Sequence, residues 1–374
     1  MQTVRKALKF RLYPTQEQQL LIAKTFGCSR FVFNRFLDEW NTAYGQTGKG
    51  LSYTLCSKEL TKLKQTLPWL KEVDSIALQS SLQNLEDGFQ RFFRKQNDLP
   101  KFKSRKRPVQ SYTTKFVNGN IKSEGHCIQL PKLGWVKFAK SKEIDGRILR
   151  ATIRRKGSGK YYISILVETE VTELPKTGRN CGIDVGLSEF AIASSGVSYG
   201  NPRFFRTLEE KLAKEQRILS RRVKFSKNWH KQRIKVARTH ERIAHAREDY
   251  LHKVSTEIVK NHDIIGIEDL KVVNLLKNKK LSKCIAEASW SRFRGMLEYK
   301  AKWYGKEVIA VGKNFPSSQL CSLCGGKNQA VKDLAVRTWI CPHCKGIHHR
   351  DLNASKNIEA EALRLRTVGT TGVA

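Results

Sequence analysis

The sequence predicts a mixed α/β chain with a separate β-rich region and a small cysteine-bound knuckle. Three observations predict it. Two apolar segments, Cys181-Gly182-Ile183-Asp184-Val185-Gly186-Leu187 and Ile264-Ile265-Gly266-Ile267-Glu268-Asp269-Leu270, read as buried strands that each carry an acid, with a long helical stretch between them. Residues 4–12 and 147–167 alternate apolar and polar side chains, as half-buried strands do. Near the C-terminus, Cys321 and Cys324, then Cys341 and Cys344, form two C-x-x-C pairs separated by sixteen residues.

From the N-terminus, Val4, Lys6, Leu8, Phe10 and Leu12 share one strand face, and Tyr13-Pro14 ends the strand. From Thr15 the period becomes helical, with Leu20, Leu21, Ala23, Phe26, Phe31, Phe33, Phe36, Leu37 and Trp40. Further helices are expected at 56–66 and 75–95, so residues 13–95 read as a mostly helical unit behind a first strand. Residues 91–107 hold eight Lys/Arg and one acid, Asp98, interleaved with Phe92, Phe93 and Phe102. That is either a solvated basic loop or a phosphate-contacting strip with stacking aromatics, and the overall charge favours the strip. Residues 111–170 read as β. A hairpin turns at Lys156-Gly157-Ser158-Gly159-Lys160, and Arg150, Thr152 and Arg154 lie on one face. Pro175 and Gly178 mark a boundary. Residues 205–260 read as helical and very basic, with fourteen Lys/Arg against four Glu between Arg206 and Arg247. A helix is expected from Asp351 to Leu365, with Ala354, Ile358 and Ala362 facing inward and a frayed tail after it.

Charge bounds the function class. Seventy Lys+Arg against thirty-four Asp+Glu leave a net charge of +36 over 374 residues. Such an excess is hard to keep compact without a polyanion, which points to nucleic acid. A membrane is the weaker alternative, because the apolar runs are only a few residues long. The opening MQTVRKALKFRLYP has basic residues but no apolar core of a signal peptide. The expected setting is a reducing cytoplasm, with Cys28, Cys56, Cys127, Cys181 and Cys284 as free thiols that pack as small hydrophobes.

Three acids stand apart from solvated surface acids: Asp184 and Glu268 on apolar strands, and Asp351 at the start of a helix seven residues after Cys344. An acid in apolar surroundings is costly to bury unless it is paired or binds a cation. Taken singly, Asp351 could be a helix cap and Glu268 an arginine's partner. Together the three suggest a shared Mg²⁺ site, since two such ions about 3.5–4 Å apart can activate a water and stabilise a leaving oxygen in phosphodiester hydrolysis. The cysteine spacing fits a zinc ribbon in which four thiolates close the coordination shell, which makes a structural Zn²⁺ the expectation. His343, His348 or His349 could replace a thiolate, and a redox C-x-x-C is the other rival, although the strand-helix context of a redox motif is missing.

The order strand-Asp, strand-Glu, helix-Asp, with cysteine pairs before the last acid, resembles the TnpB family, encoded by small prokaryotic insertion sequences and related to type V CRISPR effector nucleases. The segments that carry the resemblance are Phe10-Arg11-Leu12-Tyr13-Pro14, Gly182-Ile183-Asp184-Val185-Gly186, Ile267-Glu268-Asp269-Leu270, Phe315-Pro316-Ser317-Ser318-Gln319-Leu320-Cys321, Ala335-Val336-Arg337-Thr338-Trp339 and Arg350-Asp351-Leu352-Asn353-Ala354. The resemblance implies a RuvC-like, RNase H-type nuclease domain (179–315 and 349–365) with an inserted zinc ribbon (316–348), a β-barrel wedge domain (1–12 and 111–178) and an inserted helical recognition lobe (13–110), with 366–374 a disordered tail. It implies Asp184, Glu268 and Asp351 as ligands of two catalytic Mg²⁺, and Cys321, Cys324, Cys341 and Cys344 as ligands of Zn²⁺. It also implies an RNA-guided DNA endonuclease that is monomeric in its complex and associated with the prokaryotic nucleoid; the alternative is a guided or unguided DNA-binding repressor that does not cleave, which the presence of all three acids argues against. Its partners would be a transposon-derived guide RNA and double-stranded target DNA. By the same similarity Tyr53, Ser57, Gln79 and Asn118 occupy positions that read a short target-adjacent motif.

Overall fold

The computed structural model describes residues 2–202, 204–333 and 335–371. The chain divides into two compact units: Thr3–Glu170 with Lys224–Arg238, and Val171–Val223 with Thr239 onward.

In the first unit, strand β1 (Gln2–Tyr13) is followed by helices α1 (Gln16–Thr47), α2 (Tyr53–Thr66) and α3 (Ser75–Phe93). Strands β2 (Gln110–Lys115), β3 (Lys122–Glu124), β4 (Cys127–Leu130), β5 (Gly134–Ala139), β6 (Arg147–Arg155) and β7 (Tyr161–Val171) come next. Pro14 stops β1, and Thr15 then caps α1. The Thr15 hydroxyl accepts from the Gln18 backbone amide at 3.3 Å, and the Gln18 side-chain Oε1 accepts from the Thr15 backbone amide at 3.0 Å. Asp74 caps α3 by accepting from the Ile76 amide at 2.9 Å. The strands form one seven-stranded sheet in the order β2-β6-β7-β1-β5-β4-β3. The barrel expected for this region is open. Edge strands β2 and β3 are not paired with each other among the described residues, so the sheet is a half-barrel. Closure is not needed to protect the β2 edge, because α1 and α3 pack against that strand. Ile22 and Phe26 of α1 and Ala77 of α3 share one core with Phe10, Leu12, Tyr112, Ile153 and Ile163.

The second unit contains β8 (Asn180–Val185), β9 (Glu189–Ala193), β10 (Ser198–Gly200), α4 (Phe204–Ser220) and the part of α5 (Lys227–Asn261) from Thr239 on. It continues with β11 (Ile264–Glu268), α6 (Val272–Leu275), α7 (Ser282–Ala288), α8 (Trp290–Tyr304), β12 (Glu307–Val311), β13 (Thr338–Ile340), β14 (Ile347–His349) and α9 (Arg350–Thr371). The five-stranded sheet runs β10-β9-β8-β11-β12. Strands β8, β11 and β12 are parallel, whereas β9 and β10 are antiparallel additions.

The two faces of this sheet follow the two-residue period of its strands. Cys181 and Ile183 of β8 and Ile265 and Ile267 of β11 pack in one core with Leu251, Val254 and Ile258 of α5 and with Phe293 and Leu297 of α8. The alternate residues, Gly182 and Gly266, meet α9. A Cβ on Gly182 would stand 2.0 Å from the Ser355 carbonyl oxygen, and one on Gly266 would stand 2.8 Å from the Ala362 Cβ. Glycine at these two positions lets the helix backbone lie almost on the strands.

The C-terminal expectation is corrected in part. Helix α9 continues past Leu365 to Thr371, so residues 366–371 are helical and not a disordered tail. Arg366 pairs with Glu307 of β12 at 2.8 Å, which ties this last part of the helix to the sheet. Residues 372–374 lie outside the described residues.

Candidate metal centre and nucleic-acid surface

The period that places Gly182 and Gly266 under α9 also places the acids. Asp184 follows Gly182 by two residues and Glu268 follows Gly266 by two, so both acids sit on the α9 side at the C-terminal ends of parallel strands. Asp351 lies in the first turn of α9, one turn before Ser355, the residue that contacts Gly182. Burial, then the charge of Glu268, then that of Asp351 raise the Asp184 carboxyl well above its usual range, and Arg350 opposes them. That order of causes brings all three acids into one electrostatic neighbourhood. They form a looser group than the cysteines, which are the one metal-type cluster with ligand atoms all within 4.8 Å among the described residues.

Among the described residues no arginine pairs with Glu268. Its Oε1 accepts from the Ser317 hydroxyl at 2.6 Å. Asp351 is not the helix cap but faces Arg337, whose Nη1 stands 3.4 Å from Oδ2. Glu268 also borders a cavity of about 270 Å³ shared with Trp290 and Arg294. The pairing of Ser317 with Glu268 and of Arg337 with Asp351 was outside the reach of sequence reasoning about single acids, although both residues lie in motifs flanking the cysteines.

The cysteine site is compact. Cys321 and Cys344 sulfurs are 3.5 Å apart, and Cys324 and Cys341 sulfurs are 3.7 Å apart. Four thiolates about 2.3 Å from a tetrahedral Zn²⁺ would be separated by roughly 3.8 Å, so the donor set fits that ion. Each pair ends in a left-handed residue, Gly325 at φ 74° and Lys345 at φ 61°, and each turn closes on its first cysteine: the Cys321 amide donates to the Gly326 carbonyl and the Cys341 amide to the Gly346 carbonyl. His348 replaces no sulfur. It stands behind Cys321, with Nε2 at 3.0 Å from Sγ, and lies against the Trp339 ring. Strand β14 passes from His348 directly into α9 and Asp351.

In the first unit, Tyr53 opens α2 and borders a cavity of about 500 Å³ with Trp40, Phe89 and Phe93, while Ser57 follows one turn later and is half-buried. Gln79 is exposed on α3, and Asn118 is exposed in a left-handed turn after β2. In the basic strip, Phe93 and Phe102 are exposed, but Lys103 turns inward. Its ammonium sits 3.6 Å from the Phe33 ring centre, and burial, then Arg107, lower its pKa to about 8. A second basic aromatic feature was not anticipated. Phe225, 69% exposed and left-handed at φ 70°, packs at 5.6 Å from Trp229. Lys224 lies 5.3 Å from the Phe225 ring and Arg233 lies 5.6 Å from that of Trp229. The signal was present: residues 216–240 hold nine Lys/Arg, two aromatics and no acid.

Fold and site together define a strongly basic two-unit protein with a thiolate knuckle beside an acidic strand-end site. A family model described as "Probable transposase" matches residues 164–279, one described as "Cas12f1-like, TNB domain" matches 290–358, and one described as "Helix-turn-helix domain" matches 1–49. In this chain the last of these spans one strand and one unbroken helix. A protein of Streptomyces pristinaespiralis, whose name provisionally gives it as an RNA-guided DNA endonuclease, is 39% identical over 99% of this chain and 92% of its own length. InsQ of Escherichia coli K12, with the same provisional description, is 36% identical over 95% of this chain and 92% of its own. Among solved structures, Cas12f1 in the complex with sgRNA and target DNA superposes with a TM-score of 0.62 at 13% identity, covering 96% of this chain and 99% of that one. The chain belongs to the TnpB family.

Proposed function

We propose that this chain is an RNA-guided DNA endonuclease. In this reading it binds a transposon-derived guide RNA, recognises a short motif beside its DNA target and hydrolyses target phosphodiesters with two Mg²⁺ ions. The observation that carries the reading is the convergence of Asp184, Glu268 and Asp351 at the ends of β8 and β11 and the start of α9. The names of the two relatives and the fold shared with Cas12f1 in its complex with sgRNA and target DNA support it.

Asp184, Glu268 and Asp351 would hold the Mg²⁺ ions, which when bound supply an activated water and stabilise the leaving oxygen. Asp184 is half-buried, and desolvation and then the charges of Glu268 and Asp351 push its carboxyl up, so its carboxylate gains from a neighbouring cation. Ser317 orients one oxygen of Glu268, and Arg337 offers a cation beside Asp351 near which a phosphate can settle. The five-stranded sheet with α9 serves as the RuvC-like nuclease domain, the Cys321–Cys344 knuckle as a Zn²⁺-bound ribbon, the half-barrel as the wedge and α1–α3 as the recognition lobe. Tyr53, Ser57, Gln79 and Asn118 read the target-adjacent motif.

The test is cleavage of a duplex matching the variable end of the RNA that co-purifies with the protein. Wild type should cut with Mg²⁺ or Mn²⁺ only. Asp184→Ala should bind the same duplex without cutting. A cutting Asp184→Ala variant would overturn the site, and a preparation with no discrete RNA would overturn the guide.

A further inference from the structure

Residues 317–322 touch the cysteine knuckle, the catalytic helix and one of the acids at once, all within the second unit. The Ser317 hydroxyl, 6% exposed, donates to Glu268 Oε1 at 2.6 Å. The Asn357 side-chain amide donates to the Ser317 carbonyl and to the Leu320 carbonyl, each at 2.7 Å. The Asn353 amide donates to the same Leu320 carbonyl at 2.6 Å, and its Oδ1 accepts from the Ser322 amide at 2.9 Å. Cys321, a knuckle thiolate, lies between Leu320 and Ser322. Asn353 and Asn357 are four residues apart on α9, so they present one face of the helix that begins with Asp351. Both are buried, at 2% and 8% exposure.

We infer that Ser317 is a positioning residue for Glu268, and that the segment 317–322, clamped to α9 by Asn353 and Asn357, couples the knuckle to the acids. The inference rests on the reading of Asp184, Glu268 and Asp351 as a divalent-cation site. A carboxylate has two oxygens and free rotation about its last bond. One short bond from a buried hydroxyl fixes that rotation and leaves the second oxygen directed at the cation. The hydroxyl in turn is fixed because its own backbone carbonyl is held by Asn357. A shift of Cys321 therefore moves Leu320 and Ser322, which pull on the same two asparagines that set the first turns of α9. Groups in this supporting role typically change metal affinity by about 10- to 100-fold when removed.

The bland alternative is that these bonds only dock the ribbon loop. Mn²⁺ binding separates the two. The probe is Mn²⁺ alone, followed by electron paramagnetic resonance on the full chain freed of RNA, with Asp184→Ala as the background. Ser317→Ala should weaken the Asp184-dependent Mn²⁺ site by about tenfold. Ser317→Thr, which keeps a hydroxyl, should restore it, and zinc content should stay at the wild-type value in both. Asn357→Ala, which touches no acid, should weaken the site as well. By linkage, saturating Mg²⁺ should raise the affinity for zinc in competition with a chelating dye, and less so in Ser317→Ala. Unchanged Mn²⁺ affinity in Ser317→Ala at full zinc content would overturn the inference, and so would zinc affinity indifferent to Mg²⁺ in wild type. Wild type with no Asp184-dependent Mn²⁺ site would instead overturn the metal-site reading on which it rests.

Discussion

Gly182→Ala is the sharpest perturbation of the proposed site, because it adds one methyl and no charge. The new Cβ would stand 2.0 Å from the Ser355 carbonyl oxygen and 2.5 Å from the Glu359 amide nitrogen, whereas ordinary contact begins at 3.4 Å. Both neighbours are helix backbone and cannot rotate away. Strand or helix must yield by about 1.4 Å, the shortfall between 3.4 and 2.0 Å. Ser355 is one turn from Asp351, so a lifted α9 carries Asp351 away from Asp184 and Glu268. Overpacking of this kind costs about 1–3 kcal/mol of stability, which a domain of this size survives. A displacement of roughly 1 Å at reacting groups costs on the order of 100-fold in rate. The expected result is a folded variant that retains RNA and target binding and cuts about two orders of magnitude more slowly in single-turnover assays. Gly27→Ala serves as the control: nothing lies within 4 Å of its added Cβ on α1, so it should cut normally and gain about 1 kcal/mol from helix propensity. If Gly182→Ala cut as fast as Gly27→Ala, close approach of α9 would not be what places Asp351.

Three other outcomes are expected. Burial works against the ionised Asp263 carboxyl, but Lys306 and then the Thr177 and Gly178 amides hold its pKa far below the usual value; its contribution to stability is therefore present above about pH 4 and lost as pH falls further. Asp263→Asn leaves the buried Lys306 ammonium without its carboxylate and should cost about 3 kcal/mol in urea unfolding at pH 7; equal stabilities there would refute the pairing. Mass spectrometry of the wild type should show one bound zinc, and Cys341→Ser should lose it and show raised hydrogen exchange across residues 321–349 while sparing β1–β7; a wild-type preparation without zinc would refute the ribbon. Phe225→Ala should weaken single-stranded RNA binding by about tenfold without changing its salt dependence, whereas Lys224→Ala should reduce the salt slope; an unaltered affinity for Phe225→Ala would show that no base stacks there.

Elements whose burial is one-sided were legible in the sequence. Strand β1 buries Val4, Phe10 and Leu12 and exposes Thr3, Arg5, Ala7 and Lys9, so its alternation could be read directly. Helix α1 is bounded by Pro14-Thr15 and Gly48, chemistry that carries its own signal. The stretch between Leu270 and Glu307 was not legible. Helix α8 buries Trp290, Phe293, Met296, Leu297, Ala301 and also Lys300, and that lysine interrupts the apolar stripe. The Lys300 ammonium is satisfied by the His252 carbonyl and the Ser255 and Thr256 hydroxyls of α5, partners that only the tertiary fold supplies. Lys103 misled for the same reason, since it counts toward a phosphate-contacting strip until Phe33 is seen beneath it. In α9 the tail composition argued for fraying, whereas the helix runs on to Thr371, with Arg366 paired to Glu307 across to β12.

The spacing that puts Asp184 and Glu268 on one face of neighbouring strands was legible for a reason that the folded sheet makes precise. In Gly182-Ile183-Asp184 and Gly266-Ile267-Glu268, glycine and acid share a face while the isoleucine between them faces the opposite core. Each residue of the triplet answers a different demand. The isoleucine anchors the strand against α5 and α8. The glycine admits the α9 backbone, at a conformational cost of roughly 0.5–1 kcal/mol relative to alanine. The acid then emerges where that helix begins, beside the charge that Asp351 brings. Neither a buried acid nor a strand glycine is favourable by itself. Their recurrence at the same spacing on two adjacent parallel strands is intelligible only if a third element covers both glycines, and α9 does so with its first turn carrying the third acid. The proposed site thus rests on a backbone requirement as much as on its carboxylates, so moving α9 should slow cutting even with Asp184, Glu268 and Asp351 all in place.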